Sequence, residues 1–179
     1  MADPFALLGV EPRFALDLRA VEQRHRELSR ALHPDRYAGA PAAERRLALG
    51  RAIEVNEAWR VLRDPIRRAE ALCARAGLEM REDALPKPDP DFLMEVMEAR
   101  EELAEVAREK DLARVTALGQ AMLAREAKAL AALGAGIDGA GGDPQKIRAA
   151  LPRLAELKYF RRFLDEVSAI EEDLTDATP

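Results

Sequence analysis

The hexapeptide Leu32-His33-Pro34-Asp35-Arg36-Tyr37 lies between two segments of the chain that have the apolar periodicity of helices. Pro34 lacks a backbone N–H and restricts the residue before it, so the first helix is predicted to end at Leu32. The tract Gly39-Ala40-Pro41 continues the interruption. The sequence therefore predicts two antiparallel helices joined by an exposed loop that displays the imidazole of His33 and the carboxylate of Asp35.

The first of these helices is predicted to begin after Asp17, whose carboxylate can cap it. Its buried stripe recurs at steps of three and four residues and comprises Leu18, Val21, His25, Leu28 and Leu32. Three arginines, here called the basic face, lie opposite this stripe at positions i, i+7 and i+11: Arg19, Arg26 and Arg30. Such a row of charge would steer an acidic partner surface toward the helix.

The second helix is predicted from about residue 42 to 62. Its inner face is predicted to consist of Leu47, Ala48, Ala52, Val55, Ala58, Trp59 and Leu62. Pro65 suits the first turn of a shorter helix, which should stop at Gly77. Residues 1–77 are thus predicted to form one domain, a hairpin of two long helices with short flanking helices.

The remainder of the chain is predicted to form a second helical domain, from 91 to 179. Residues 78–90 contain three prolines and should form a stiff connection between the domains. Three helices are predicted beyond it, at about 91–109, 111–133 and 144–174, with a flexible glycine-rich loop at 134–142. Pro152 is expected to kink the third helix or to delay its regular part.

Composition agrees with an all-α fold, because 34% of the residues are charged, only 4% are aromatic, and Ala and Leu are abundant. The formal charge is unevenly distributed. Residues 1–76 contain 14 basic and 11 acidic side chains, a net +3, whereas residues 77–179 contain 14 and 22, a net −8. A net charge of −5 without a Lys/Arg-rich block argues against non-specific nucleic-acid binding.

Cys73 is the only cysteine, so neither an intrachain disulfide nor a site built from several thiolates is expected. Metal binding by His25 and His33 would lack further ligands, and His25 is interpreted as a core or boundary residue. No cofactor or metal is predicted. No stretch approaches the roughly 18 apolar residues of a membrane helix, so no membrane partner and a cytoplasmic location are expected.

The first helix of the second domain carries more apolar side chains than docking in a bundle requires. Its buried stripe is predicted to be Phe92, Val96, Ala99, Leu103 and Val106. Leu93, Met94 and Met97 lie to one side of this stripe, beside Glu98 and Glu101. They predict an exposed apolar patch rimmed by acid, suited to adaptable partner contacts. The alternative is a wide stripe in which all of these residues belong to the core.

Three segments together resemble HscB, a family of J-domain co-chaperones of iron-sulfur cluster assembly, and the resemblance spans nearly the whole chain. They are His33-Pro34-Asp35, residues 55–70 (VNEAWRVLRDPIRRAE) and residues 92–103 (FLMEVMEAREEL). The resemblance implies a protein without catalytic residues that stimulates the ATPase of a DnaK-type chaperone (HscA) and delivers the scaffold protein IscU to it. Chaperone binding would fall to His33, Pro34, Asp35 and the basic face.

The family's client-binding positions correspond to Leu93, Met94, Met97, Glu98, Glu101 and Tyr159. Tyr159 replaces the commoner Phe, and Pro152 and the glycine-rich segment depart further from the family pattern. One alternative keeps the J-domain and assigns it another client or a general folding role. A second is a structural helical protein whose loop tripeptide is incidental. A His-Asp catalytic dyad is set aside because no nucleophile is placed near it.

Overall fold

The computed structural model describes residues 2–80 and 86–176, and it divides into two compact units, Met1–Leu78 and Glu79–Pro179. The all-α prediction is confirmed: the described residues form seven α-helices and one short 3-10 helix, and none of them is in a strand. The predicted proline-rich connection at 78–90 is described only in part, because residues 81–85 lie outside the described residues.

The first unit contains the predicted helical hairpin. Its helices are α1 (Pro4–Leu8), α2 (Leu18–Ala31), the 3-10 helix (Pro34–Tyr37), α3 (Ala42–Arg63) and α4 (Pro65–Arg75). Asp17 caps α2, since its side chain accepts hydrogen bonds from the amides of Arg19 and Ala20 at 3.0 and 3.3 Å. The core is formed by Phe5, Leu8, Val21, Val55, Ala58, Leu62 and Cys73, all of which are buried.

His25 is a boundary residue that joins the two long helices of the first unit. Its ring stacks on Trp59 of α3, with 5.6 Å between ring centroids and an interplanar angle of 17°. Its Nε2 lies 2.9 Å from Oδ1 of Asn56, also on α3. Because these contacts cross between helices, His25 stabilises the hairpin that positions the loop between α2 and α3.

Leu47 was wrongly assigned to the inner face of α3. It is 57% exposed, and Leu49 and Ile53 are exposed as well. Ala48 and Val55 lie on the buried side of α3. Consecutive residues of a helix are rotated by about 100° around its axis, so Leu47 is turned by that angle from Ala48. Leu47 therefore points away from the buried side of α3.

The second unit is a bundle of three long helices, α5 (Pro90–Glu109), α6 (Leu112–Gly139) and α7 (Pro144–Asp176). The predicted loop at 134–142 is wrong, because α6 continues to Gly139 and only residues 140–143 separate it from α7. A Cβ atom placed on Gly136 would lie 2.9 Å from Cβ of Ala150 on α7. The missing side chain thus permits close helix packing there, and it is Gly141 and Gly142, with φ of +58° and +86°, that make the turn.

Pro152 does not delay α7, which begins at Pro144 and runs through Pro152 as one helix. Proline removes one backbone hydrogen bond from a helix interior. Leu151 and Leu154, on either side of it, are buried in the bundle at 3% and 0% exposure. Their packing holds the backbone helical despite the missing bond.

Candidate functional site

The tripeptide His33-Pro34-Asp35 forms the exposed start of the 3-10 helix between α2 and α3. The backbone N–H of Asp35 donates to Nδ1 of His33 at 3.3 Å, so the imidazole caps the turn. Pro34 occupies the first position of the 3-10 helix, where its ring restricts φ and a missing N–H costs nothing. The side chain of His33 is 59% exposed and that of Asp35 is 89% exposed.

This geometry fixes how the turn can bind a partner. Nδ1 of His33 is occupied within the turn, since it lies 3.3 Å from the Asp35 amide nitrogen and 3.4 Å from Oδ2 of the Asp35 carboxylate, and Nε2 is the nitrogen left to contact a partner. The Asp35 carboxylate can accept hydrogen bonds from an arginine. Little conformational entropy is lost on binding, since a proline and a cap already order the turn.

The basic face of α2 is open to solvent. Arg19, Arg26 and Arg30 are all exposed. Arg26 forms an ion pair with Glu22 at 2.6 Å, one helical turn earlier. Exposed pairs of this kind contribute about 0–1 kcal/mol, so carboxylates of a partner can replace Glu22. The face is therefore available to an acidic surface, in agreement with the positive charge of this half of the chain.

The predicted apolar patch lies on α5. Met94 and Met97 are 60% and 62% exposed, whereas Leu93 is half-buried. Glu98 and Glu101 are exposed beside them. These exposures exclude the alternative in which both methionines belong to the core. Two exposed methionines next to two carboxylates can bind an apolar surface that carries basic side chains.

Two ion pairs show which edges of α5 face the other helices. Arg100 binds Glu166 of α7 at 3.1 Å, and Glu95 pairs with Arg125 of α6. Leu93 precedes Arg100 by seven residues, which is nearly two full turns, and thus lies on the α7-facing edge.

An aromatic cluster occupies the same edge. Phe92 of α5 meets Tyr159 and Phe160 of α7 edge-on, with ring centroids 6.0 and 5.3 Å apart. Tyr159 is half-buried. The structure thus brings Tyr159 to the edge that holds Leu93, although 66 positions separate the two residues in the sequence.

Sequence reasoning missed one charged residue at this edge. The guanidinium of Arg162 lies 6.0 Å from the ring centroid of Tyr159, and Arg162 is exposed. The sequence signal that could have identified Arg162 is its position three residues after Tyr159, because this spacing places the two side chains on one side of a helix.

On the other side of the patch, the acidic residues of α5 continue into a shallow depression of about 590 Å³. It is lined by Glu98, Glu101, Glu102, Ala104, Glu105 and Arg108.

Cys73 is a core residue of α4. Its thiol is buried, and burial together with the neighbouring charge of Glu70 raises its pKa from 9.0 to about 11. A buried thiol that stays protonated at neutral pH is a weak nucleophile. Within residues 2–80 and 86–176, no three His, Cys, Asp or Glu side chains are grouped so that they could hold a metal ion.

None of the described helices is long and apolar enough to cross a membrane.

Two family models match the chain in consecutive segments. The model of the DnaJ domain matches residues 3–71. The model described as the HSCB C-terminal oligomerisation domain matches residues 88–168. The first segment contains the His33-Pro34-Asp35 turn and the basic face, and the second contains the exposed patch on α5.

Curated relatives and solved structures agree with these matches. The co-chaperone protein HscB homologue of Vibrio vulnificus strain YJ016 is 38% identical over 170 residues, which cover 95% of this chain and 97% of the relative. The homologue of Bordetella avium is 40% identical over 170 residues, covering 94% and 97%.

Among solved structures, the chaperone HscB from Vibrio cholerae superposes with a TM-score of 0.81 at 32% identity, covering 97% of this chain and 99% of its own. The crystal structure of the human co-chaperone protein HscB gives a TM-score of 0.82 at 23% identity over 94% of this chain and 82% of its own. The human likeness shows a shared fold.

Proposed function

The chain belongs to the HscB family of J-domain co-chaperones, and we propose that it stimulates ATP hydrolysis by a DnaK-type chaperone of the HscA kind and delivers the scaffold protein IscU to it, in support of iron-sulfur cluster assembly. In this proposal, hydrolysis takes place in the partner chaperone. The co-chaperone contributes two binding surfaces, one in each unit.

The exposure of His33 and Asp35 in their turn is the observation that best supports the first part of the proposal, binding to the chaperone. A core role would require these side chains to be buried, and both are open to solvent. A turn that Pro34 and a side-chain cap already order is suited to recognition. The basic face next to it adds long-range attraction to an acidic chaperone surface.

The exposed methionines support the second part of the proposal, binding of the client by the patch on α5. Met94 and Met97 place flexible, polarisable side chains in solvent, beside the carboxylates of Glu98 and Glu101. The complementary client surface is apolar with basic side chains next to it. One covalent chain that binds client and chaperone raises the effective concentration of each near the other.

Single-turnover ATP hydrolysis by an HscA-type chaperone tests the chaperone half. We expect Asp35→Asn to reduce the stimulation about tenfold or more, because a charge-assisted hydrogen bond contributes about 1.5–3 kcal/mol. Asp165→Asn is the matched control, since Asp165 is an exposed carboxylate on α7 and its substitution should leave the stimulation intact. Unchanged stimulation by His33→Gln and Asp35→Asn together would mean that the tripeptide is incidental.

Calorimetric titration with purified cluster-free IscU tests the client half. We expect the double substitution Met94→Ser and Met97→Ser to weaken binding at least tenfold, since each buried methionine contributes about 1.5–3 kcal/mol. Leu123→Ser removes an exposed leucine of α6 and is the matched control. If the double variant binds IscU as the native protein does, the patch serves another client or the protein has a general folding role.

A further inference from the structure

Arg162 is a positive charge on the α7 side of a patch whose rim on α5, Glu98 and Glu101, is acidic. It is exposed on α7, and its guanidinium lies 6.0 Å from the centre of the Tyr159 ring. Cations at about this distance are attracted to the face of an aromatic ring. The contact restricts the long side chain of Arg162, so less rotamer entropy is lost when it binds a partner.

The position of Arg162 follows from its neighbours on α7. Tyr159 and Glu166 both face α5, through the Phe92 ring contact and the Arg100 ion pair. Arg162 lies between them in the sequence, three residues after Tyr159 and four before Glu166, and these spacings keep all three on one side of the helix. Arg162 thus lies along the edge at which α7 meets α5.

The patch therefore has charges of opposite sign on its two sides. The charge of Arg162 lies on its α7 side, and the exposed carboxylates of Glu98 and Glu101 lie on α5. Leu93 is on the edge between them. A surface with opposite charges on its two sides favours one orientation of a ligand, because the reversed orientation would place like charges together.

We propose that Arg162 is a specificity-determining residue of the client site, and that it binds an acidic side chain of the client next to the apolar contact made with Leu93, Met97 and Tyr159. The proposal rests on the proposed function, because it assumes that this patch binds the scaffold. It adds a requirement on the client, which must present basic groups toward Glu98 and Glu101 and a carboxylate toward Arg162.

The test measures affinity for cluster-free IscU at low and high salt. We expect Arg162→Glu to weaken binding about tenfold at low ionic strength, since attraction is replaced by repulsion. The loss should shrink at about 1 M salt, where the Debye length falls to about 3 Å. Arg162→Lys keeps the charge and should retain most of the affinity. Arg148→Glu makes the same change at an exposed position near the start of α7 and should leave the affinity unchanged.

Helix content and the unfolding midpoint of each variant show whether it is folded, and Arg162→Lys provides a milder change at the same site. If Arg162→Glu binds as tightly as Arg148→Glu while the Met94/Met97 double variant loses binding, the role of Arg162 is refuted and the proposed function stands. If the double variant also binds normally, the patch is not the IscU site, and the proposed client function and the role of Arg162 are both refuted.

Discussion

Nδ1 of His33 accepts the backbone N–H of Asp35 at 3.3 Å, so one residue of the turn holds the other in place. The imidazole has two tasks in this arrangement. Its Nδ1 caps the turn, and its Nε2 is left to bind a partner. The two tasks can be separated by a substitution that keeps only the first.

Asn is a favoured capping residue, and at position 33 it can accept the Asp35 amide without supplying an imidazole. We therefore expect His33→Asn to preserve the turn and to abolish most of the stimulation of chaperone ATP hydrolysis. The amide resonance of Asp35 in NMR spectra reports the turn, and single-turnover hydrolysis reports the activity. Full stimulation by the Asn variant would show that capping is the sole role of His33.

Glycines inside helices should respond to alanine in opposite directions, according to their surroundings. A Cβ on Gly119 would lie 2.9 Å from Cγ1 of Val167, whereas nothing lies within 4 Å of one on Gly50. We expect Gly119→Ala to lower the free energy of unfolding by about 1–3 kcal/mol, the usual cost of overpacking. Gly50→Ala should raise that free energy by about 0.5–1 kcal/mol, because alanine favours helix. Urea denaturation measures both, and stabilisation by Gly119→Ala would contradict the close packing of α6 and α7.

Glu156 is a buried carboxylate whose charge is compensated by one arginine. Nη1 of Arg153 lies 2.9 and 2.7 Å from its two oxygens, and the Glu156 side chain is only 8% exposed. Arg153→Met would leave the carboxylate without this partner, and we expect the unfolding free energy to fall by about 1–3 kcal/mol. Adding Glu156→Gln to that variant should recover part of the loss. A double-mutant cycle in chemical denaturation measures the coupling, and additive losses would show that the pair does not contribute.

The buried thiol of Cys73 should make stability fall at alkaline pH. Its pKa is raised to about 11 in the folded protein, against 9.0 for an ordinary thiol. Between these values the unfolded chain loses its proton while the folded chain keeps it, so the free energy of unfolding decreases as pH rises from 9 to 11. Cys73→Ala should reduce this slope. Denaturation at several pH values compares the two proteins, and equal slopes would mean that Cys73 does not cause the decrease.

The first unit could be predicted largely from the sequence, because its signals are local. Asp17 caps α2, Pro34 and its neighbours interrupt the hairpin, and Pro65 starts α4; each acts on amides or dihedral angles within a few residues. The exposure of Met94 and Met97 was also predictable, since both lie off the buried stripe of α5. The assignment of partners to these surfaces remains a prediction.

The tertiary structure alone decided which contacts those helices make. The glycines at 134 and 136 indicated a loop, but they lie in α6, where Gly136 closely approaches Ala150 of α7. The joining of Tyr159 to the α5 patch likewise depends on how α5 and α7 pack. The physical reason is the range over which each residue acts. Caps and prolines act on the backbone within one turn of their own helix. The role of a glycine such as Gly136 or an arginine such as Arg162 depends on residues of another helix, and the rotation and offset of that helix are defined only when the bundle is packed.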